Sequence, residues 1–297
     1  MSIVVTGANG FLGRRLVTRL LERGDAVLAI GRGACPEIWA GQERLTWLRR
    51  DLAVGELSAS DLGEPTVVFH LAGATLGARL DAAGYLAANE ATLITTLSAA
   101  AGHGPRIVIA SSQVVYGDAN HLAVREDFPL DGSESHYAAS KVNCETWARW
   151  FQRKHGGSMV LLRLSGFVEG GGAVDYFIDR ALRGERLELF ARGEIRRDYL
   201  AVDSGIDAFL AAADYHSAAG VTAFNIGSGE SMSAAALAEL VLSETRSSSE
   251  IHLTAAPAPQ RDFVFDISLA RRVLGFTPAA LADTVRRHVR RRQDAAS

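Results

Sequence analysis

The chain has 297 residues, 48% of them hydrophobic, which is enough for one large domain, or one large and one small, around a buried core. Its 31 basic and 34 acidic residues give a formal charge of -3, so no chain-wide field holds nucleic acid or an anionic membrane, and an anionic ligand must be met by local groups. The two cysteines, Cys35 and Cys144, are too few for a disulfide framework and lack the Cys-x-x-Cys spacing of redox or zinc chemistry, as befits a reducing cytoplasm.

The chain enters a strand at once (SIVVTG) with no charged leader, and no apolar run approaches the roughly 20 residues that span a bilayer, so a cytoplasmic protein is expected. An amphipathic helix follows (FLGRRLVTRLLERG), then β-type runs AVLAIG, RLTWLRR and TVVFHLAG. A helix is expected from about Tyr85 to Ala101, then the strand RIVIASS, a helix from Tyr137, and the strand MVLLRL. This alternation predicts an α/β fold with a doubly wound parallel sheet. The Gly-rich FVEGGGAV at 167–174 marks a change to shorter, less regular elements. The expected organisation is a dinucleotide-binding domain over 1–165, to which RDYLAVD and AFNIG within 197–227 return, and a small mixed α/β C-terminal domain from 166–196 and 228–297. The arginine cluster RRHVRRR at 286–292 reads as a solvated helix face favourable to the C-terminal dipole.

VVTGANGFLG sets Gly7, Gly10 and Gly13 between the first strand and the first helix, the context of a Rossmann dinucleotide fingerprint. Gly7 allows the tight turn, Gly10 lets the backbone approach a pyrophosphate, and Gly13 allows close helix packing, while the helix N-terminus stabilises the anion. The spacing is Gly-x-x-Gly-x-x-Gly. Further on, Tyr137 and Lys141 stand four apart on one helix, so their side chains share a face. The chain has only two lysines, Lys141 and Lys154, which makes this pairing a specific signal.

The glycine spacing together with Tyr-x-x-x-Lys resembles the short-chain dehydrogenase/reductase superfamily, in its extended branch of nucleotide-sugar epimerases, dehydratases and reductases. RRDL resembles the block that sets Asp51 and Leu52 beside the adenine, and FHLAGAT the strand end whose Leu71, Ala72 and Gly73 line the cofactor. SSQVVYG, HYAASK, RDYLAVD, FNIGSGE and DISLARRVLGFTP resemble later blocks in the family's order, so the match runs nearly end to end. The resemblance implies cofactor contacts from Gly7, Asn9, Gly10, Phe11, Leu12 and Gly13 and from Tyr137 and Lys141. It also implies a substrate-binding role for the C-terminal domain, a nucleotide-sugar substrate and a homodimer built on a two-helix contact.

An NAD-preferring site places Asp or Glu at the end of the second strand to accept hydrogen bonds from the ribose hydroxyls. Here AVLAIGR offers Gly31, and Asp25 lies at the wrong end of the strand. Arg32 can pair with a 2′-phosphate through its planar fork. NADP(H) is therefore the expected cofactor, with NAD(H) as the alternative.

A free tyrosine, with a pKa of about 10, is a poor base at neutral pH and needs cationic help. Lys141 and an oxidised nicotinamide supply it, and in family members the lysine also holds the nicotinamide ribose. Ser112 resembles the family's Ser or Thr that donates to the carbonyl oxygen as it gains charge. Ser111 is expected to satisfy local backbone. His70, His121 and His136 lack ligand spacing, and no metal site is expected.

Family dehydratases carry an acidic pair directly after the Ser or Thr, but Gln113 and Val114 cannot transfer those protons. Reductases that also invert neighbouring carbons carry Cys at the position of Val114. A plain hydride transfer remains, as a net ketone reduction or as a 4-epimerisation with retained NAD; a non-catalytic dinucleotide-binding sensor is the third reading. The resemblance sets Arg197 on a nucleotide diphosphate and gives Arg261, Gln113 and Ser165 substrate contacts. The Arg-x-x-Gly-Asp block is irregular in APQRDFVFD, and Ser165 and Gly166 replace the family Asn. The reading is an NADP(H)-dependent ketoreductase acting at C4 of a nucleoside-diphosphate 4-keto-6-deoxysugar.

Overall fold

The computed structural model describes residues 2–55, 57–117, 123–215, 220–257 and 261–296. The strands are β1 (Ser2–Thr6), β2 (Ala26–Gly31), β3 (Leu45–Arg49), β4 (Val67–His70), β5 (Arg106–Ser112), β6 (Ser158–Leu164), β7 (Gly166–Phe167), β8 (Leu187–Leu189), β9 (Arg196–Arg197), β10 (Tyr199–Leu200), β11 (Gly220–Ile226), β12 (Met232–Ser233) and β13 (Ile251–Leu253). The α-helices are α1 (Phe11–Glu22), α2 (Ala59–Leu62), α3 (Ala82–Tyr85), α4 (Thr92–Ala100), α5 (His136–His155), α6 (Ala173–Leu182), α7 (Val202–Asp214), α8 (Ala234–Thr245), α9 (Ser268–Leu274) and α10 (Leu281–Ala296). They pack as two compact units, one of Met1–Gly117, Pro129–Arg163 and Ile206–Phe224, the other of Asp118–Phe128, Leu164–Gly205 and Asn225–Ser297.

A seven-stranded sheet in the order β11-β6-β5-β4-β1-β2-β3 organises the first unit. Its β1–β2, β1–β4, β2–β3 and β4–β5 pairs are parallel, and the run β3-β2-β1-β4-β5-β6 is the strand order of a doubly wound Rossmann sheet. All four residues of β4 are buried, as expected of a parallel strand covered on both faces, which explains its unbroken apolar run VVF. Leu16, Val17 and Leu20 supply the buried stripe of α1. Helix α5 starts on Ser135, whose hydroxyl accepts from Ala138 N. It ends at Gly156, in the left-handed region at φ +77°, after Arg153, Lys154 and His155. The cap and the terminal cations both favour the helix dipole.

Two expectations differ from the structure. The helix expected from Tyr85 to Ala101 is broken by a π-helical turn over Leu86–Ala91, between α3 and α4. There the Thr92 hydroxyl donates to the carbonyls of Ala88 (2.8 Å) and Asn89 (3.0 Å), interposing a side chain in the helical ladder. RDYLAVD does not return to the large sheet; it forms β9, paired antiparallel with β12, and β10, paired parallel with β7. Asp198 stands between them, and its buried carboxylate gathers the turn at Ser228 and Gly229. AFNIG does join the large sheet, as β11.

The second unit has its own core. Val174, Phe177, Ile178 and Ala181 of α6 meet Leu237, Ala238 and Val241 of α8 and Leu281, Val285 and Val289 of α10. β8 and β13 pair in parallel beside them. Gly171 N and His288 Nε2 bond Asp175 at 2.6 and 2.7 Å, and Arg292 bonds both Asp175 and Asp179, tying the Gly-rich turn to α6 and α10. Much of the arginine cluster's polar chemistry is therefore engaged: Arg286 also pairs with Glu244 at 3.3 Å and with Asp283 at 2.8 Å.

Candidate active site

The Gly-rich turn is forced by its packing. Gly7 has φ +66°, and a Cβ there would lie 2.6 Å from Leu71 C and Ala72 N on the chain leaving β4. A Cβ on Gly13 would overlap the Gly7 carbonyl, so α1 begins against the turn only because both positions are glycine. Arg14 grips Asn9, with Nε 2.8 Å and Nη2 2.6 Å from Asn9 Oδ1.

In the first unit a cavity of about 590 Å³ opens beside this turn. Its lining includes the predicted Gly7, Asn9, Gly10, Arg32, Asp51, Leu52, Leu71, Ala72 and Gly73, joined by Gly31, Gly33 and Arg50. Phe11, Leu12 and Gly13 form the first turn of α1, with Phe11 exposed and Gly13 buried. A helix N-terminus, two guanidinium-bearing residues and an apolar floor at Leu71 and Ala72 make a donor set suited to a dinucleotide phosphate and its rings. The volume also falls in the range of about 300–1,000 Å³ usual for cofactor clefts.

Helix α5 carries Tyr137 and Lys141 on one face, with Lys141 Nζ 5.9 Å from the Tyr137 ring centroid. Tyr137 is buried, and its ring packs against Tyr85 at 5.6 Å between centroids. Tyr85 is itself fixed by hydroxyl bonds to the carbonyls of Thr75 (3.0 Å) and Leu76 (3.2 Å). Lys141 Nζ donates to Ala110 O at 3.1 Å, near the end of β5 and two residues before Ser112. Ser112 then caps the 3₁₀ turn Gln113–Tyr116, accepting from Val114 N at 3.4 Å. A hydroxyl that accepts this backbone bond still has its own proton to donate. Gln113 Oε1 is buried with no hydrogen-bond partner among the described residues.

A buried polar network that the sequence did not reveal locks α5 to β5 and β6. Glu145, one turn beyond Lys141, accepts from Ser111 Oγ (2.8 Å) and from Arg163 Nε (2.9 Å) and Nη2 (2.8 Å); Arg163 Nη1 donates to Tyr116 Oη at 2.6 Å. Burial acts to lower the Arg163 guanidinium, yet its bonds and charge interaction with Glu145 carry it above the usual range. Ser111 thus serves structure, through a side chain rather than local backbone. Asn89 is a second unforeseen residue: from the π turn its Oδ1 accepts from Ala74 N (2.7 Å) and its Nδ2 donates to Ser140 Oγ (2.8 Å), linking the cavity wall to α5. Two of them had a visible sign, Glu145 at Lys141+4 and Arg163 as a charge within the apolar run MVLLRL, whereas Asn89 had none.

His70 is buried with Nδ1 3.1 Å from both Thr6 Oγ1 and Thr96 Oγ1; desolvation, aided by the Lys141 charge, pushes it down to about 3. It stays neutral at physiological pH. Burial likewise pushes the Cys144 thiol up to about 11, which makes it inert as a nucleophile. His136 is exposed and His121 lies outside the described residues. Among the described residues no three His, Cys, Asp or Glu side chains group to hold a metal ion, and no helix is long and apolar enough to cross a membrane.

Ser165, Arg197 and Arg261 belong to the second unit. Ser165 is buried beside β11, with its backbone N donating to Ile226 O at 2.9 Å. The structure brings Arg197 and Arg261 together: Arg197 Nη1 donates to Arg261 O at 2.8 Å while its guanidinium lies 5.5 Å from the Phe263 ring centroid. Residues 258–260 of the APQRDFVFD block lie outside the described residues.

Comparison with known proteins shows the family. Residues 3–227 match the model of the NAD dependent epimerase/dehydratase family. A UDP-glucose 4-epimerase of Mycolicibacterium smegmatis is 28% identical over 310 residues, covering 97% of each chain. A dTDP-glucose 4,6-dehydratase of Streptomyces griseus is 30% identical over 303 residues, covering 95% of this chain and 90% of the relative. The solved structure of MoeE5 in complex with UDP-glucose and NAD superposes with a TM-score of 0.85 at 26% identity, over 100% of both chains. The chain is an enzyme of the NAD dependent epimerase/dehydratase family, in the extended branch of the short-chain dehydrogenases/reductases.

Proposed function

We propose that this enzyme is an NADP(H)-dependent ketoreductase that reduces C4 of a nucleoside-diphosphate 4-keto-6-deoxysugar. The observation that carries the reading is the end of β2, where Gly31 and Arg32 line the cavity and no carboxylate stands in the place of a ribose-binding acid. Arg32 binds a 2′-phosphate, and Asp51 and Leu52 hold the adenine. The bound dinucleotide would supply the hydride. Tyr137 delivers the proton to the carbonyl oxygen, Lys141 favours the phenolate left behind, and Ser112 donates a hydrogen bond to the oxygen as its charge grows. Lys141 reaches Ala110 and its helix is clamped through Glu145, which supports a fixed geometry for this step. Gln113 and Val114 follow Ser112 where elimination requires an acid and a base, which argues against dehydration. Arg197 and Arg261 bind the diphosphate, with Ser165 beside the sugar. The enzyme acts as a cytoplasmic homodimer.

A second reading, a 4-epimerase that keeps NAD bound and returns its hydride, is favoured by the whole-length likeness to a UDP-glucose 4-epimerase and by the NAD named with MoeE5. The deciding experiment identifies any cofactor retained on purification and then follows NADPH oxidation with a panel of 4-keto nucleotide sugars. Net oxidation is expected; tightly held NAD with no net oxidation establishes the epimerase instead. Tyr137→Phe is expected to lower turnover by about a hundred- to ten-thousandfold with cofactor affinity retained. Substantial remaining activity refutes the proton path.

A further inference from the structure

The glycine at the end of β2 is held there by a neighbouring side chain. Gly31 does not have a left-handed backbone, so no conformational reason bars a larger residue. Yet a Cβ built on it would lie 2.8 Å from both Cη2 and Cζ2 of Trp47, on the adjacent edge strand. The strand register pairs Ala29 with Trp47 and Gly31 with Arg49, so side chains at 31 and 47 stand on one face, diagonal neighbours across the pair.

The half-buried indole is held from two sides. Its Nε1 donates to Gly33 O at 3.2 Å, fixing the ring to the turn that carries Arg32. The ring packs against Trp39, 6.0 Å between centroids, and Trp39 is buried and anchored by its own Nε1 to Thr18 Oγ1 of α1 at 3.1 Å. The same turn is braced on its other side by Arg49 Nε, which donates to Arg32 O at 3.1 Å. Arg50 N donates to Gly31 O at 3.0 Å and so joins Arg32 on the cavity wall. Among the described residues the acid on this stretch of wall is Asp51, which accepts from Ala53 N at 3.1 Å.

We infer that Trp47 is a specificity-determining residue of the cofactor site: its indole fills the volume that a carboxylate side chain at position 31 needs. The acid that would bind a ribose diol is thereby excluded, and that end of the cavity is left to the arginines and a phosphate-bearing ribose. This inference rests on the NADP(H) reading, and its test separates the two. Gly31→Asp, Gly31→Ala, Trp47→Leu and the two double variants are compared with the parent by thermal unfolding and by titration with NADPH and NADH.

Gly31→Asp and Gly31→Ala are expected to lower the melting temperature in the parent, and to do so far less beside Trp47→Leu. Trp47→Leu alone is expected to keep the NADPH preference. The Gly31→Asp/Trp47→Leu pair is expected to bind NADH more tightly than NADPH, a reversal of about ten- to a hundredfold, the worth of a hydrogen bond to a charged group. Gly31→Ala keeps the overlap measurable if Gly31→Asp fails to fold. Additive effects on stability, or a full reversal by Gly31→Asp alone, overturn the role of Trp47. A parent enzyme that prefers NADH overturns the cofactor reading, whatever the coupling between positions 31 and 47.

Discussion

Each unit buries a carboxylate at its centre, and the two satisfy it in opposite ways. Glu145, about 1% exposed in the first unit, faces the guanidinium of Arg163 in a two-bond fork and adds Ser111 and Arg149. Asp198, also about 1% exposed, in the second unit, is met by N–H and hydroxyl donors: Ser228 N (2.7 Å), Ser228 Oγ (2.8 Å), Gly229 N (3.1 Å) and Phe265 N (3.4 Å). Burial pushes Asp198 above its ordinary range in spite of those bonds. Asp175, elsewhere in the second unit, has His288 and Arg292 as partners; there burial is outweighed by the hydrogen bonds from Gly171 N and His288 and by the Arg292 charge, and the carboxyl is held low. Around Asp175 the hydrogen bonds and neighbouring charges outweigh burial, whereas the neutral donors around Asp198 do not.

The largest expected effect breaks the counter-ion case. Glu145→Ala leaves Arg163 buried and uncompensated, and urea unfolding should show a loss of about 3–5 kcal/mol. Replacing Glu145 and Arg163 together by apolar residues of similar volume should cost much less, which distinguishes an orphaned charge from a lost bond. A smaller effect sharpens the contrast between Asp198 and Asp175. The raised Asp198 contributes stability that is full below about pH 3.8, its unfolded value, and is lost as pH rises through its folded value. The lowered Asp175 contributes stability present above about pH 3.8 and lost as pH falls through its folded value. Comparing Asp198→Asn and Asp175→Asn with the parent across a pH series, the cost of the first should grow as pH falls from 7 towards 3.8, whereas that of the second should hold down to 3.8 and shrink only below it. Parallel trends would remove the distinction. The smallest effect is that of Ser111→Ala, expected at about 1 kcal/mol, because Glu145 keeps its guanidinium partner.

What was legible in the sequence is what is decided locally. The turn between β1 and α1 depends on glycines within a few residues, and Tyr137 and Lys141 share a face by helical geometry, so both could be read from spacing. The sheet followed from alternation, although the hydroxyl of Thr92 and the buried Asn89 turned one expected helix into a π turn that apolar periodicity does not encode. Contacts across the fold were hidden. Ser111 and Glu145 are 34 positions apart, Asp198 and Ser228 are 30 apart, and neither pairing leaves a periodic trace. The missing acid at Gly31 is legible in the sequence, but only the adjacent strand shows what occupies its space. RDYLAVD has the composition of a sheet strand, yet it divides around a buried Asp into two short pairings.

The scarcity of lysine gives the molecule a built-in chemical reporter. Besides the terminal amine it carries two ε-amines. Lys154 is exposed, resting 4.8 Å from the Trp150 ring centroid, and Lys141 is half-buried against Ala110 O. An amine-acylating reagent therefore meets one exposed reference amine and one half-buried beside the Tyr137 ring. After digestion, the extent of acylation at Lys141 relative to Lys154 is expected to fall when a dinucleotide fills the proposed site, a readout that needs no substrate and no coupled assay.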